Sequence, residues 1–365
     1  MEKTKKWLRL LAFLPIMCII AFLNIWADPV LIFHNFGKSA AEALLAGNEV
    51  YFISVNAQGR SCKKTLIESM PKHVDCITVG PSLSWTISTS SVGTNSYYNL
   101  SEGQYNYFDY MAVFGLLEYN EIVFDRLILC MDSDFYHEAR IDEIRDYNVW
   151  KEYSDYMESI LYNKKATLND ISGKNVDYYY SIVSQVLSPT YFNSSLSLVR
   201  DNYNALMKYP IFGIVCDETT ASFMHYQTDG SRVYPREYNN RTDTFVKEQC
   251  EIYPIESRFA KGQHIQDFRK TMFIKLVEYL LDKGVTIEFF LCPPAPALYD
   301  RVKNDPDADQ YYLFDEIEAF TKDLSLLYDI KITGSYNPYD YGIQDGDYYD
   351  PRHMKPEKVD EYFDF

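Results

Sequence analysis

Three segments of the chain are almost continuously apolar and rich in β-forming residues. They are residues 73–80, 126–132 and 285–292. Apolar runs of this length without polar alternation are typical of strands that are buried on both faces of a sheet. Weaker strand patterns occupy residues 48–55, 97–103 and 329–333. The sequence therefore predicts a central sheet with helical layers on both sides.

Apolar residues between these strands recur at helical spacing. The predicted helices cover residues 61–71, 107–119, 258–283 and 311–327, and a closing helix begins near Pro356. Gly284 follows the third of them at a position typical of a helix C-terminus. Strands that alternate with helices predict an α/β fold with a parallel sheet and right-handed crossovers. The carboxyl ends of the strands should then gather at one edge, where such sheets bind ligands.

The middle of the chain interrupts this alternation. Residues 137–258 are rich in Tyr, Asn, Asp and Ser, and helical spacing is present only near 150–163 and 181–187. We interpret this stretch as a mostly helical insertion that forms a cap or a wall of the binding site. The predicted organisation is a cytoplasmic tip with a transmembrane anchor over 1–27 and one extracytoplasmic domain over 28–365.

The N-terminal region has the pattern of that anchor. The basic residues before its apolar stretch are Lys3, Lys5, Lys6 and Arg9. Residues 7–27 are about 21 in number, enough to cross a bilayer core of about 30 Å. The positive flank predicts a cytoplasmic N-terminus at the cell membrane, with the bulk of the chain outside. A cleaved signal peptide is the alternative; it is disfavoured because the apolar run is long and no A-x-A-like site follows.

The formal net charge of −17 excludes several classes of partner. A chain without a basic stripe is not expected to bind nucleic acid. The seven cysteines show neither a CxxC motif nor a Cys/His pair with zinc spacing, so neither a metal nor another cofactor is expected. Three of the thiols are predicted to be buried in or beside strands. They are Cys76, Cys130 and Cys292.

Two motifs that are far apart in the chain have the residue types of a serine hydrolase. Strand 73–80 leads into Gly80-Pro81-Ser82, which puts a hydroxyl on the turn that leaves the strand. Asp350 stands three residues before His353, just ahead of the closing helix. A serine needs a base to remove its proton, and an imidazole needs a carboxylate to fix its tautomer. We therefore predict Ser82 as nucleophile, His353 as base and Asp350 as the partner of His353.

Such a site also needs N–H donors for an oxyanion. The backbone N–H of Ser82 is one candidate, and Gly103 is another because glycine lets the backbone approach closely. Ser84 is an alternative nucleophile, disfavoured because it should already lie in the next helix. The motifs also allow structural interpretations in which Ser82 only shapes a turn and Asp350 caps the closing helix.

The 33 tyrosines include several in the insertion whose rings suit sugar stacking. They are Tyr178, Tyr179, Tyr180, Tyr191, Tyr203 and Tyr226. The alternative interpretation is that they fill the core and its interfaces.

The order of the motifs resembles the SGNH, or GDSL-like, hydrolase superfamily. The shared features are strand-Gly-x-Ser, a glycine after the second strand and a distal Asp-x-x-His, and they cover residues 60–130 and 260–365. The anchor and the proline-rich turn after the fourth strand make the chain similar to members that modify surface polymers, such as the D-alanyl-lipoteichoic acid transfer protein and alginate O-acetylation proteins. The resemblance implies a flavodoxin-like three-layer α/β/α fold and a metal-free Ser-His-Asp site.

The chain departs from the superfamily at two positions. Gly80-Pro81-Ser82 replaces the usual Gly-Asp-Ser or Gly-Ser-Ser. Asp132-Ser133 stands where the superfamily has an Asn donor after the third strand. An ionised Asp132 cannot donate to an oxyanion, so the resemblance leaves Ser133 as the candidate donor there.

These observations predict a membrane-anchored acyltransferase or esterase that adds or removes a small acyl group, acetyl or similar, on a cell-surface polysaccharide or teichoic acid. The resemblance implies a multipass membrane acyl exporter as a partner. The alternative is a catalytically degenerate scaffold or glycan-binding protein of the cell envelope, and the absent Asn donor favours it. A secreted lipase is a third hypothesis, weakened because nothing in the sequence marks a lipid-binding lid.

Overall fold

The structure is a computed structural model of the chain. It describes residues 2–28, 33, 36–51, 59–103, 105–136, 150–164, 183–201 and 224–363, with side chains described for all of these except 2–12, 134, 201, 257 and 258. Large parts of the predicted insertion thus lie outside the described residues.

The described strands form two sheets. They are β1 (Val50–Tyr51), β2 (His73–Val79), β3 (Tyr97–Asn99), β4 (Val123–Cys130), β5 (His225–Tyr226), β6 (Arg232–Val233), β7 (Thr286–Leu291) and β8 (Lys331–Gly334). Five of them form a parallel sheet in the order β3-β2-β4-β7-β8, which confirms the predicted α/β class. In this order β3 lies next to one edge of β2, and β4, the next strand along the chain, lies next to its other edge. The winding therefore reverses at the carboxyl ends of β2 and β4, the place where open α/β sheets bind ligands.

Residues of the central strands alternate between two separate hydrophobic clusters. In β4, Leu127 and Leu129 belong to one cluster, whereas Ile128 and Cys130 belong to the other. Successive side chains of a strand point to opposite faces, so each cluster lies on one face of the sheet. This double burial explains why the strands are apolar runs without polar alternation.

Helices cover both faces. They are α1 (Glu2–Ala27), α2 (Phe36–Leu45), α3 (Gly59–Ser69), α4 (Thr89–Val92), α5 (Tyr107–Tyr119), α6 (Ser133–Tyr136), α7 (Lys151–Leu161), α8 (Pro189–Asp201), α9 (Asp243–Ile252), α10 (Ile255–Arg258), α11 (Asp267–Asp282), α12 (Pro296–Lys303), α13 (Leu313–Tyr328) and α14 (Pro356–Phe363). Buried residues of α3, α5, α11 and α13 belong to one cluster, and those of α9, α12 and α14 to the other. The described part of the domain therefore has three layers.

Two predicted elements are shorter than their patterns suggested. Strand 97–103 ends at Asn99, whose side-chain oxygen accepts from the N–H of Ser101 (2.9 Å) and so favours a turn there. Helix 258–283 begins only at Asp267, since a non-helical segment in which Ala260 has a φ of 48° precedes it. Its end was placed correctly: Gly284 follows with a φ of 83°, a conformation that glycine adopts without strain.

A small antiparallel sheet, two of whose three strands come from the insertion, packs against the turn that follows β2. It consists of β1, β5 and β6, in the order β1-β5-β6. The backbone N–H of Arg232 donates to the carbonyl of Trp85 (2.7 Å), and the backbone N–H of Asn99 donates to the carbonyl of Asp229 (2.8 Å). The Asp229 carboxylate also accepts from the N–H of Thr89 (2.8 Å). Part of the insertion is thus a wall beside the carboxyl ends of the strands.

The C-terminal end of helix α1 packs against α8 and against the residues just before α8. The side-chain amide of Asn24 donates to the carbonyls of Gln185 and Val186 (both 3.1 Å), and Tyr191 donates to Asp28 (2.5 Å). Within the described residues, no helix combines the length and the apolar character that a membrane crossing requires.

The described cysteines are free thiols. They are Cys18, Cys62, Cys76, Cys130, Cys250 and Cys292, all buried except Cys18. Cys216 lies outside the described residues. The predicted burial of the strand thiols is confirmed.

Candidate active site

Ser82, His353 and Asp350 form a continuous chain of hydrogen-bonding groups. The Oγ atom of Ser82 lies 2.8 Å from Nε2 of His353. On the other side of the ring, Nδ1 of His353 lies 2.9 Å and 2.8 Å from the two carboxylate oxygens of Asp350. All three side chains are half-buried. This arrangement suits proton transfer from the hydroxyl to an imidazole whose tautomer is fixed by the carboxylate.

The turn after β2 presents Ser82. Strand β2 ends at Val79, and a 3₁₀ turn, Ser82–Ser84, starts after Pro81. A Cβ atom on Gly80 would lie 2.5 Å from both Cβ of Cys130 and Oγ of Ser84, so only glycine fits there. This close approach lets the chain turn directly at the sheet edge and exposes the hydroxyl above it.

The Asp350–His353 turn is held by hydrogen bonds to Asp350. One carboxylate oxygen accepts from the backbone N–H groups of Arg352 (2.9 Å) and His353 (3.0 Å). Burial alone would raise the pKa of Asp350, but the His353 charge and these hydrogen bonds outweigh it and lower the pKa to about 2. Asp350 is therefore ionised at neutral pH, as an orienting carboxylate must be.

Arg352 links this turn to the central sheet. Its guanidinium donates to Oδ1 of Asp132 (2.9 Å), which follows β4 and is buried. The same oxygen accepts from the N–H of Ser133 (2.8 Å). Asp132 is therefore an acceptor that anchors the Asp-x-x-His turn, whereas the resemblance implies an Asn donor at this position. Sequence reasoning missed this role, because nothing local to either residue pairs them.

Two of the predicted oxyanion donors are directed at carboxylates. The N–H of Gly103 donates to Oε1 of Glu102 (2.9 Å), and the N–H of Ser133 donates to Asp132, whose Oδ1 also lies 3.4 Å from the Ser133 hydroxyl. The backbone N–H of Ser82 has no acceptor among the described residues. Of the three predicted donors, the backbone N–H of Ser82 is thus the one that this structure leaves available.

Ser84, the alternative nucleophile, makes its hydrogen bonds to Pro81 and Ser101. Its hydroxyl is buried, 2.9 Å from the carbonyl of Pro81 and 2.8 Å from Oγ of Ser101. It therefore stabilises the turn, whereas Ser82 contacts His353.

Two aromatic rings flank the imidazole, and sequence reasoning did not select either. The Trp85 ring is nearly parallel to that of His353, at a centroid distance of 6.0 Å and an angle of 12°. The Tyr234 ring, from the insertion, lies 5.8 Å from His353 and 4.5 Å from the Tyr349 ring. Trp85 is three residues after Ser82, which is the only local signal that could have indicated it.

A buried charge cluster lies behind Trp85. The Arg232 guanidinium stacks on the Trp85 ring at 4.0 Å and forms an ion pair with Glu102. Glu102 also accepts from the hydroxyl of Tyr226 (2.5 Å). Burial alone would raise the pKa of Glu102, but the charges of Arg232 and Lys63 lower it overall. The cluster therefore holds the Trp85 ring through the stacked Arg232 guanidinium.

The tyrosines that lie at the site differ from those selected for sugar stacking. Tyr178, Tyr179, Tyr180 and Tyr203 lie outside the described residues. Tyr191 and Tyr226 are buried by contacts with Asp28 and Glu102. The half-buried Tyr238, on the 3₁₀ segment Arg236–Asn240, is the tyrosine of the insertion that borders Tyr234 and Tyr349.

One group of side chains in the described ranges has ligand atoms close enough for a metal ion. It consists of His73, Asp75 and Asp125, which are exposed. These residues lie near the amino ends of β2 and β4, whereas Ser82 follows the carboxyl end of β2. The group is therefore separate from the Ser82 site.

Comparisons of the chain with protein-family models and with curated proteins found no match.

Proposed function

We propose that the protein is a serine acyltransferase or esterase that acts through an ester on Ser82. The observation that carries this proposal is the unbroken Ser82–His353–Asp350 chain at the reversal of the sheet. His353 takes the proton of Ser82 as the hydroxyl oxygen attacks an acyl carbonyl, and later returns it to the leaving oxygen. A second hydroxyl or a water molecule, activated by the same imidazole, then removes the acyl group.

Two further observations support membership of the SGNH superfamily. Numbered within the sheet alone, the parallel strands have the order 2-1-3-4-5 of flavodoxin-like folds. The serine follows the first of these strands, and the Asp-x-x-His turn precedes the last helix. On this basis we propose a small acyl group as the cargo and a cell-surface polysaccharide or teichoic acid as the acceptor, with an acyl exporter in the membrane as the donor's source.

A fluorophosphonate probe tests the nucleophile directly. We expect covalent labelling of the wild-type protein, none of Ser82→Ala, and continued labelling of Ser84→Ala as the matched control, because Ser82 contacts the imidazole and Ser84 does not. Labelling is read by intact mass. A folded wild-type protein that stays unlabelled would contradict the proposal.

A non-catalytic scaffold or glycan-binding protein is the second candidate. The observation in its favour is that the N–H groups of Gly103 and Ser133 donate to carboxylates. Absent labelling together with retained binding of a surface polysaccharide would support it. If labelling occurs, comparing the turnover of short-chain and long-chain esters separates small-acyl transfer from lipase activity.

We also propose that the N-terminal segment anchors the protein in a membrane, with the domain outside the cytoplasm. Seven consecutive residues, 13–19, are exposed on all sides of helix α1. Five of them are large and apolar: Phe13, Leu14, Ile16, Met17 and Ile19. A segment that is apolar all round is more stable in lipid than in water.

The anchor is tested by fractionation of cells that produce the full chain. We expect the wild-type protein to remain in the membrane pellet after alkaline carbonate extraction. The double variant Ile16→Lys/Ile19→Lys should leave it, because each lysine near the centre of a span costs about 3 kcal/mol. Leu326→Lys, at an exposed apolar residue of α13, is the control and should not change the distribution. A mature protein that begins after residue 27 would contradict the anchor.

A further inference from the structure

A tetrahedral intermediate on Ser82 requires more than one hydrogen-bond donor. Oxyanion holes usually combine two or three donors aimed at the developing charge. Of the three donors predicted from sequence, only the backbone N–H of Ser82 has no acceptor in the described part of the chain. If the proposed function holds, a donor that the sequence did not reveal must complete the site.

The indole N–H of Trp85 is such a donor. Nε1 of Trp85 is buried and has no hydrogen-bond partner among the described residues. A buried N–H without a partner costs free energy and is rare in folded proteins. Trp85 directly follows the 3₁₀ turn that begins with Ser82, and its own backbone N–H donates to the carbonyl of Ser82 (3.2 Å). The backbone that carries the indole is therefore held close to the backbone of the nucleophile.

The surroundings of the indole match the place where an oxyanion donor is expected. A Cβ atom on Gly103 would lie 3.1 Å from Cζ2 of Trp85, so the six-membered ring of the indole, at the carbon next to the one bonded to Nε1, approaches the glycine that sequence patterns indicate. Its ring also flanks the imidazole of His353. Trp85 thus borders Ser82, Gly103 and His353 together.

Arg232 favours this role electrostatically. Its guanidinium lies over the indole at 4.0 Å, and the side chains of Arg232 and Glu102 and the Nε1 atom of Trp85 have little contact with water. A cation against the ring polarises the N–H group and holds the side chain in place. Hydrogen bonds to a developing charge are worth more at such a water-excluded position than in solvent.

We propose that the Trp85 indole N–H and the Ser82 backbone N–H together form the oxyanion hole, an inference that rests on the proposed acyl transfer. When the bond between Ser82 Oγ and the acyl carbon forms, the carbonyl π electrons move onto its oxygen and the serine proton moves to Nε2 of His353. The two N–H groups bind that oxyanion. As the carbonyl re-forms, the bond to the leaving oxygen breaks, and this oxygen takes the proton from His353.

The test is Trp85→Phe, which keeps an aromatic ring next to Arg232 and His353 and removes the N–H. We expect kcat for a short acyl ester, and the rate of fluorophosphonate labelling, to fall by about 10²-fold with KM little changed, as for loss of one oxyanion donor. Trp150→Phe is the matched control: it also removes a buried indole N–H, which donates to Asp109 (3.1 Å), and should leave kcat unchanged.

A second replacement guards against a loss that comes from packing. Substituting 3-benzothienylalanine for Trp85 keeps the bicyclic shape and exchanges only the N–H for sulfur, so it should lower kcat as much as Trp85→Phe. If either replacement keeps kcat within threefold of the wild-type value while Ser82→Ala is inactive, the Trp85 role is wrong and the acyl-transfer proposal stands. Full activity of Ser82→Ala would instead overturn both.

Discussion

Ser82→Ala should lower kcat for acyl-ester turnover by about 10⁴-fold or more. The expectation follows from the geometry: Ser82 is the hydroxyl that contacts His353, and the three side chains act as a unit. Without Oγ no ester forms, and any residual rate comes from binding and from donors that polarise the carbonyl. The measurement is steady-state hydrolysis of a short aryl ester by purified protein.

Ser84→Ala is the internal control for that experiment. It removes a hydroxyl two residues away that is bonded within the turn to Pro81 and Ser101. We expect a modest loss of stability and a kcat within tenfold of the wild-type value. Comparable activity in the Ser82→Ala and wild-type proteins, at equal thermal stability, would remove Ser82 from the mechanism.

Glu102→Ala should lower the free energy of unfolding by about 3–5 kcal/mol, because it leaves buried cations without their counter-charge. Arg232 is paired with Glu102, and Lys63 lies fully buried nearby, where burial lowers its pKa to about 8. Lys63 donates to the carbonyls of Asn99 (2.7 Å) and Gly230 (2.5 Å), so it cannot move into water without breaking a contact between β3 and the turn that joins β5 to β6.

Glu68→Ala provides the comparison for a surface ion pair. Glu68 pairs with Lys64 on the outer face of α3, and such i,i+4 pairs contribute only about 0.3–0.5 kcal/mol. Chemical denaturation of both variants gives the difference. If Glu102→Ala lowers the free energy of unfolding no more than Glu68→Ala does, the buried cluster does not stabilise the wall of the site.

The loss of stability in Glu102→Ala should also be accompanied by a lower kcat, since Arg232 contacts the Trp85 ring that lies beside His353.

Local sequence signals determined much of the fold. Apolar runs without alternation identified β2, β4 and β7, and a change of periodicity identified α5 at its observed boundaries, Tyr107–Tyr119. These features depend on neighbouring residues: strands buried on both faces must be apolar throughout, and residues four positions apart share one side of a helix. Segments with mixed patterns, such as the one before α11, were predicted less well because no local rule dominates there.

The sequence by itself also determined that the Asp350 carboxylate pairs with the His353 imidazole, because a separation of three residues lets the two side chains meet within one turn. Only the tertiary structure decided which hydroxyl they serve, since Ser82 and His353 are 271 residues apart and meet at the edge of a parallel sheet. Only the tertiary structure likewise revealed the Asp132–Arg352 ion pair and the position of the Tyr234 ring beside His353. Contacts between distant segments depend on how strands are ordered, and strand order is not encoded in any local pattern.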